Sequence, residues 1–96
     1  MTAAAATEAI VVNAPEEKFT VDVFPNPAKG NQLNINLPQL KETEKAHIAI
    51  QDVSGKVAFH IELNKSGTIT HDLKPGLYFV RVRTNRVNTV KKVIIE

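Results

Sequence analysis

The sequence predicts an all-β domain, an immunoglobulin-like antiparallel β-sandwich of about seven strands. Three observations point there. From Lys18 onward, apolar residues alternate with period two in short runs, the pattern of strands with one buried face. Turn residues separate those runs at regular intervals. No stretch shows sustained helical periodicity; "LPQLKETEKA" has room for one turn before Ala46. Short strands in this number pack best as two facing sheets.

Residues 1–18 read as a flexible linker, small alanines followed by "NAPEEK", and the run Ile10 to Asn13 offers a short extended piece at a sheet edge. Residues 19–96 read as the folded domain, with strands expected near 19–24, 32–37, 46–52, 57–63, 68–72, 77–84 and 87–95. The first run ends in "VDVFPNPAKG". There Pro25 and Pro27 withhold two backbone donors and push Phe24 and Asn26 toward extended conformations. Such an exit is rigid and blunts an edge that another chain might otherwise pair with. In the second run Leu33, Ile35 and Leu37 share one face, and Asn34 and Asn36 take the other. In the third, His47 alternates with Ile48 and Ile50 and so faces solvent.

"DVSGKV" then closes a tight hairpin, with Gly55 supplying the positive φ. In the fourth run Val57, Phe59, Ile61 and Leu63 face in, while Ala58, His60 and Glu62 face out. "NKSGT" reads as a longer hairpin loop with Gly67 in the same role as Gly55. "TNRVN" closes the last hairpin without glycine, which points to Asn85 as a left-handed residue. In the sixth run Tyr78, Val80 and Val82 face the core. Tyr78 follows the Pro75-Gly76 bend and fits the tyrosine corner of such sandwiches, its hydroxyl bonding backbone between Leu73 and Pro75.

The same residues exclude several functions. Without cysteine the chain has no disulfide framework, no thiol nucleophile and no Cys-based zinc site. A net charge of +2 with both signs interspersed leaves no nucleic-acid footprint. No apolar run is long enough to span a bilayer as a helix. "MTAAAATEA" has neither the basic n-region nor the apolar h-region of a signal peptide. If the strands around "NKSGT" pair, His60 and His71 lie on opposite faces and cannot share a metal. Ser54 and Ser66 precede turn glycines, and Asp22, Asp52 and Asp72 stand singly, without the spacing of a calcium loop. No enzyme and no cofactor are expected. What remains is surface. Phe79, Arg81 and Arg83 share one face of the penultimate run, and Lys91, Lys92 and Val93 on the last run join them as candidates for recognition by another protein.

Four strings, "VFPNPAKGNQLNINL", "IAIQDVSGKVAF", "SGTITHDLKPGLYFVRV" and "KKVIIE", together resemble the type IX secretion system C-terminal sorting domain of the Bacteroidetes. The resemblance covers residues 19–96, every run and turn in order. Its motif positions fall on Pro25, Asn26 and Pro27, on Asp52 and Gly55, on Gly76, Tyr78 and Val80, and on Lys91 or Lys92. It implies a sandwich joined to an N-terminal cargo domain that crosses the periplasm and reaches the cell surface or the medium. The implied partners are the type IX translocon with its outer-membrane shuttle proteins, and a sortase-like cysteine protease that removes the domain within residues 1–18. The sequence is then expected to be a segment of a longer exported protein. The alternative is a non-catalytic sandwich that binds carbohydrate or protein beside an enzyme. Against a sugar platform, Phe19, Phe24, Phe59, Phe79 and Tyr78 are the only aromatic residues, and most are needed for the core.

Overall fold

A computed structural model of the chain describes residues 19–96; the expected linker 1–18, with its Ile10 to Asn13 run, lies outside the described residues. Seven strands form: β1 (Asp22–Phe24), β2 (Gln32–Asn36), β3 (Ala46–Gln51), β4 (Val57–Leu63), β5 (Gly67–Thr70), β6 (Gly76–Arg83) and β7 (Asn88–Ile95). They make two antiparallel sheets, ordered β1-β2-β5 and β4-β3-β6-β7. The inward residues of both meet in one core: Leu33, Ile35 and Ile69 from the first sheet, and Ile48, Ile50, Val80, Val82, Val93 and Ile95 from the second. This is the expected immunoglobulin-like sandwich.

The exit of β1 shows what "PNP" does. Both X-Pro bonds there, Phe24-Pro25 and Asn26-Pro27, are cis. The turn carries Asn26 to the free edge of β7, where its side-chain amide donates to the Lys92 carbonyl at 3.0 Å. Its Oδ1 accepts the Ile94 N–H at 3.0 Å. One residue past Pro27 the backbone takes over. The Ala28 N–H donates to the Ile94 carbonyl and the Glu96 N–H donates to the Ala28 carbonyl, both at 2.8 Å. Together they form an isolated parallel bridge between Ala28 and Ile95. Prolines bring no N–H, so a side chain supplies the pairing that the backbone there lacks.

The other motif residues are explained locally. Asp52 Oδ1 accepts from the Ser54 N–H, the Ser54 hydroxyl and the Lys56 N–H, which locks the β3–β4 turn around Gly55 at φ +90°. Tyr78 is 8% exposed and its hydroxyl donates to the Lys74 carbonyl at 2.7 Å, inside the segment expected for the corner. Gly76 enters the strand at φ +157°.

Several expectations are corrected. β4 and β5 lie in different sheets, so "NKSGT" is a crossover and not a hairpin. Gly67 accordingly has no positive φ. Ser66 is held by the end of β2, accepting the Leu37 N–H and donating to Asn36 Oδ1. The pairing assumed for His60 and His71 therefore does not exist. His60 is exposed on β4, whereas His71 is buried past β5 with Nδ1 accepting the Leu73 N–H. Asn85 is not left-handed; instead Thr84 Oγ1 accepts the Arg86 and Val87 N–H groups and closes the last turn. Val57 is exposed rather than inward, because a register shift between Ile50 and Gln51 sets it opposite the outward Gln51.

At the end of the sandwich near Phe19, a cluster ties three loops together. Arg86 donates to both carboxylate oxygens of Glu44, at 2.7 and 2.6 Å, and to the Gln39 carbonyl. Its guanidinium also lies over the Phe19 ring, 5.3 Å from the centroid. The Arg86 hydrogen bonds hold the Glu44 carboxyl below its ordinary value of 4.5. Hydrogen bonds from Ser54 likewise hold Asp52 below 3.8. A carboxylate depressed in the folded state contributes stability above its unfolded pKa and loses it as pH falls through the folded value. Stability is thus predicted to decline as pH drops below about 4.5. In urea titrations across pH, a Glu44→Gln/Asp52→Asn variant is expected to show a shallower acid decline than the parent. Parallel curves would remove these two groups as the cause.

Candidate docking surface

The sheet β4-β3-β6-β7 has one face against the core and one that no described residue covers. Strand alternation and register decide what that outer face carries. On β6, Leu77, Phe79, Arg81 and Arg83 point out, opposite to the buried Tyr78, Val80 and Val82. Cross-strand partners share a face. The pairs Leu77↔Ile94, Phe79↔Lys92, Arg81↔Val90 and Arg83↔Asn88 therefore place Ile94, Lys92, Val90 and Asn88 on the outer face of β7. On β3 the partners of Phe79, Arg81 and Arg83 are Gln51, Ala49 and His47.

The expected recognition residues divide accordingly. Phe79, Arg81, Arg83 and Lys92 come together on this face. Lys91 does not join them: it pairs with Val80 and points toward the opposite side. It remains exposed where it opens onto a groove between β1 and β7, lined also by Val21, Asp22, Val23, Phe24, Asn26 and the neighbouring Lys92. Val93 pairs with Tyr78 and is 0% exposed, so the outward orientation expected for it is corrected to a core position. Pro25, Asn26 and Pro27 sit at the β7 edge, Asp52 and Gly55 in the β3–β4 turn, Gly76 and Tyr78 at the corner, and Val80 in the core.

Three apolar residues that sequence reasoning left out complete the surface. Leu77, Val90 and Ile94 are 36%, 41% and 43% exposed. Val90 and Ile94 were legible in principle, since they alternate with Val93 and Ile95, but strand 88–95 is apolar on both faces and the alternation is hidden. Arg81 donates to Asn88 Oδ1 at 3.3 Å, and no described carboxylate forms an ion pair with Arg81, Arg83 or Lys92. The register places Glu62 on the same outer face, opposite His47, and its carboxylate faces Lys45 at 3.6 Å and His47 Nδ1 at 3.4 Å. Among the described residues no group of three or more His, Cys, Asp or Glu is placed to hold a metal ion. The chemistry available is therefore that of a contact surface: apolar area with positive charge set into it.

The face assignment makes a direct prediction. Truncating a fully buried valine removes core contacts, so Val93→Ala is expected to cost about 2 kcal/mol. Lys92→Ala, one residue away, should stay within about 0.5 kcal/mol of the parent in the same denaturant titration. Equal effects would contradict the register of β7.

Comparison with known proteins adds one positive finding. A family model described as a secretion system C-terminal sorting domain matches residues 22–96. No curated protein matches the chain.

Proposed function

The chain belongs to the family of secretion-system C-terminal sorting domains, and from that membership we propose that it acts as a folded address, a signal and a substrate with no catalysis of its own. As a type IX sorting signal it is exported for secretion or for display at the cell surface. Residues 19–96 form the sorting domain and residues 1–18 link it to an N-terminal cargo. The cargo reaches the periplasm, and the outer-membrane translocon with its shuttle proteins then takes up the domain. A sortase-like cysteine protease cuts within residues 1–18. The translocon reads the outer face of β6 and β7 through Phe79, Arg81, Arg83 and Lys92. Lys91 and Val93 act differently, as parts of the structure that presents this face.

The observation that carries the reading is the family match over residues 22–96. The fold supports it physically, because the last strand is fastened to the first by Asn26 and Ala28. A C-terminal segment so held is presented in one conformation. The motif residues Pro25, Asn26, Pro27, Asp52, Gly55, Gly76, Tyr78 and Val80 are accounted for by this framework and need no contact with a partner.

The test is a reporter carrying its own signal peptide, with residues 1–96 fused behind it, in a host that has the type IX machinery and in an isogenic host without the translocon. The expected result is reporter at the cell surface or in the medium only when the translocon is present. Reporter that stays in the periplasm of both hosts, or reaches the surface of both, would contradict the proposal.

A further inference from the structure

The two outer faces of the sandwich differ in charge. On the sheet β1-β2-β5 the outward residues are Asp22, Phe24 and a ladder of amides and hydroxyls, in which Asn34 Oδ1 accepts from the Thr68 hydroxyl at 2.6 Å. Among the described strand residues that face carries one carboxylate, Asp22, and no cation, while the other carries three cations and one carboxylate, Glu62 on β4. Opposite it, Arg81, Arg83 and Lys92 stand among the exposed Leu77, Val90 and Ile94, without a described carboxylate to pair with. A solvated strand face needs charges of either sign; it does not need cations of one sign set beside exposed apolar side chains. Burying the apolar residues against a partner would also desolvate the three cations. That is strongly unfavourable unless the partner brings carboxylates. A second copy of this chain presenting the same face would set cation against cation, which disfavours a face-to-face dimer.

We infer that the outer face of β6 and β7 is the contact surface for an acidic protein partner, one whose Asp or Glu side chains meet Arg81, Arg83 and Lys92 while its apolar residues cover Leu77, Val90 and Ile94. The inference rests on the sorting reading only for the setting of its test, and it names the chemistry that the receiving protein must show. Beside this patch Ala49, the partner of Arg81 across β3 and β6, lies in a depression lined also by His47, Val57, His60, Glu62 and Arg83, in which the Glu62 carboxylate already faces Lys45 and His47.

The experiment uses the full-chain fusion in the translocon-bearing host, with thermal unfolding of each variant as the folding control. The parent fusion must reach the surface; if it does not, the sorting reading fails before the surface is tested. With the parent exported, an Arg81→Lys/Arg83→Lys variant keeps the charge and is expected to export within about twofold of it. An Arg81→Glu/Arg83→Glu/Lys92→Glu variant reverses the charge and is expected to lose about tenfold. Gln32→Lys/Thr70→Lys on the other sheet should change nothing. Carbodiimide coupling in the Lys-substituted strain joins amines to carboxylates in contact. Adducts on the two introduced lysines and Lys92 should exceed those on Lys41, Lys65 and Lys74 by about tenfold, and should map to Asp or Glu of one partner protein. Folded charge-reversed protein that exports normally, or adducts spread evenly over all six lysines, overturns the inference. So does charge-dependent pelleting of the purified domain with phosphatidylglycerol vesicles at the parent's export-competent ionic strength, which would make the occupant a membrane.

Discussion

The side-chain amide of Asn26 is the contact on which the arrangement depends. Edge strands expose a row of unpaired donors and acceptors, and β7 is an edge strand whose Val93 and Ile95 fill the core. Along its C-terminal half that edge is closed. The Asn26 amide covers Lys92 and Ile94, and Ala28 covers Ile94 and Glu96. One residue leaves β1 and reaches the last strand across most of the sequence. It thereby joins the two sheets at their borders as well as through the core.

The opposite end is pinned by charge. Arg86 sits in the β6–β7 turn yet bonds Glu44 in the β2–β3 crossover and stacks on Phe19, where the described chain begins. The bidentate geometry is the strong form of such a pair, and Glu44 is buried. With one end of the hairpin β6–β7 held by Arg86 and the other by Asn26, its outward residues are presented on a rigid support. Recognition surfaces gain from such preorganisation, because less freedom is lost on binding. Asn26, Asp52 and Tyr78 make internal bonds, whereas Arg81, Arg83 and Lys92 take part in no described ion pair.

Local pattern made much of this legible. Alternation located all seven strands, and the Pro75-Gly76 bend before Tyr78 located the corner with its hydroxyl bond. Local pattern failed where a decision depended on which sheet a strand joins. Ser66-Gly67 looks like a hairpin turn, but β5 pairs with β2 and leaves β4 an edge, a choice made by core packing between distant residues. Asn85 was expected to be left-handed because no glycine was available; the Thr84 hydroxyl solved the same turn without one. Val93 was misplaced because β7 reads "VKKVII", apolar on both sides. Only its pairing with Tyr78 and the sealing of its edge by Asn26 reveal the face. The Arg86–Glu44 pair, 42 residues apart, carries no periodic signal at all.

The most direct test of this account is amide hydrogen exchange at Ile94 and Glu96, whose N–H groups donate to Asn26 Oδ1 and to the Ala28 carbonyl. An amide without a partner on an edge strand exchanges fast. If the Asn26 and Ala28 contacts hold β7 as described, both amides exchange slowly in the parent, and Ile94 speeds up in an Asn26→Ala variant that remains folded. Fast exchange at both positions in the parent, or exchange at Ile94 unchanged by the substitution, would contradict the claim that the first strand's exit holds the last strand in place.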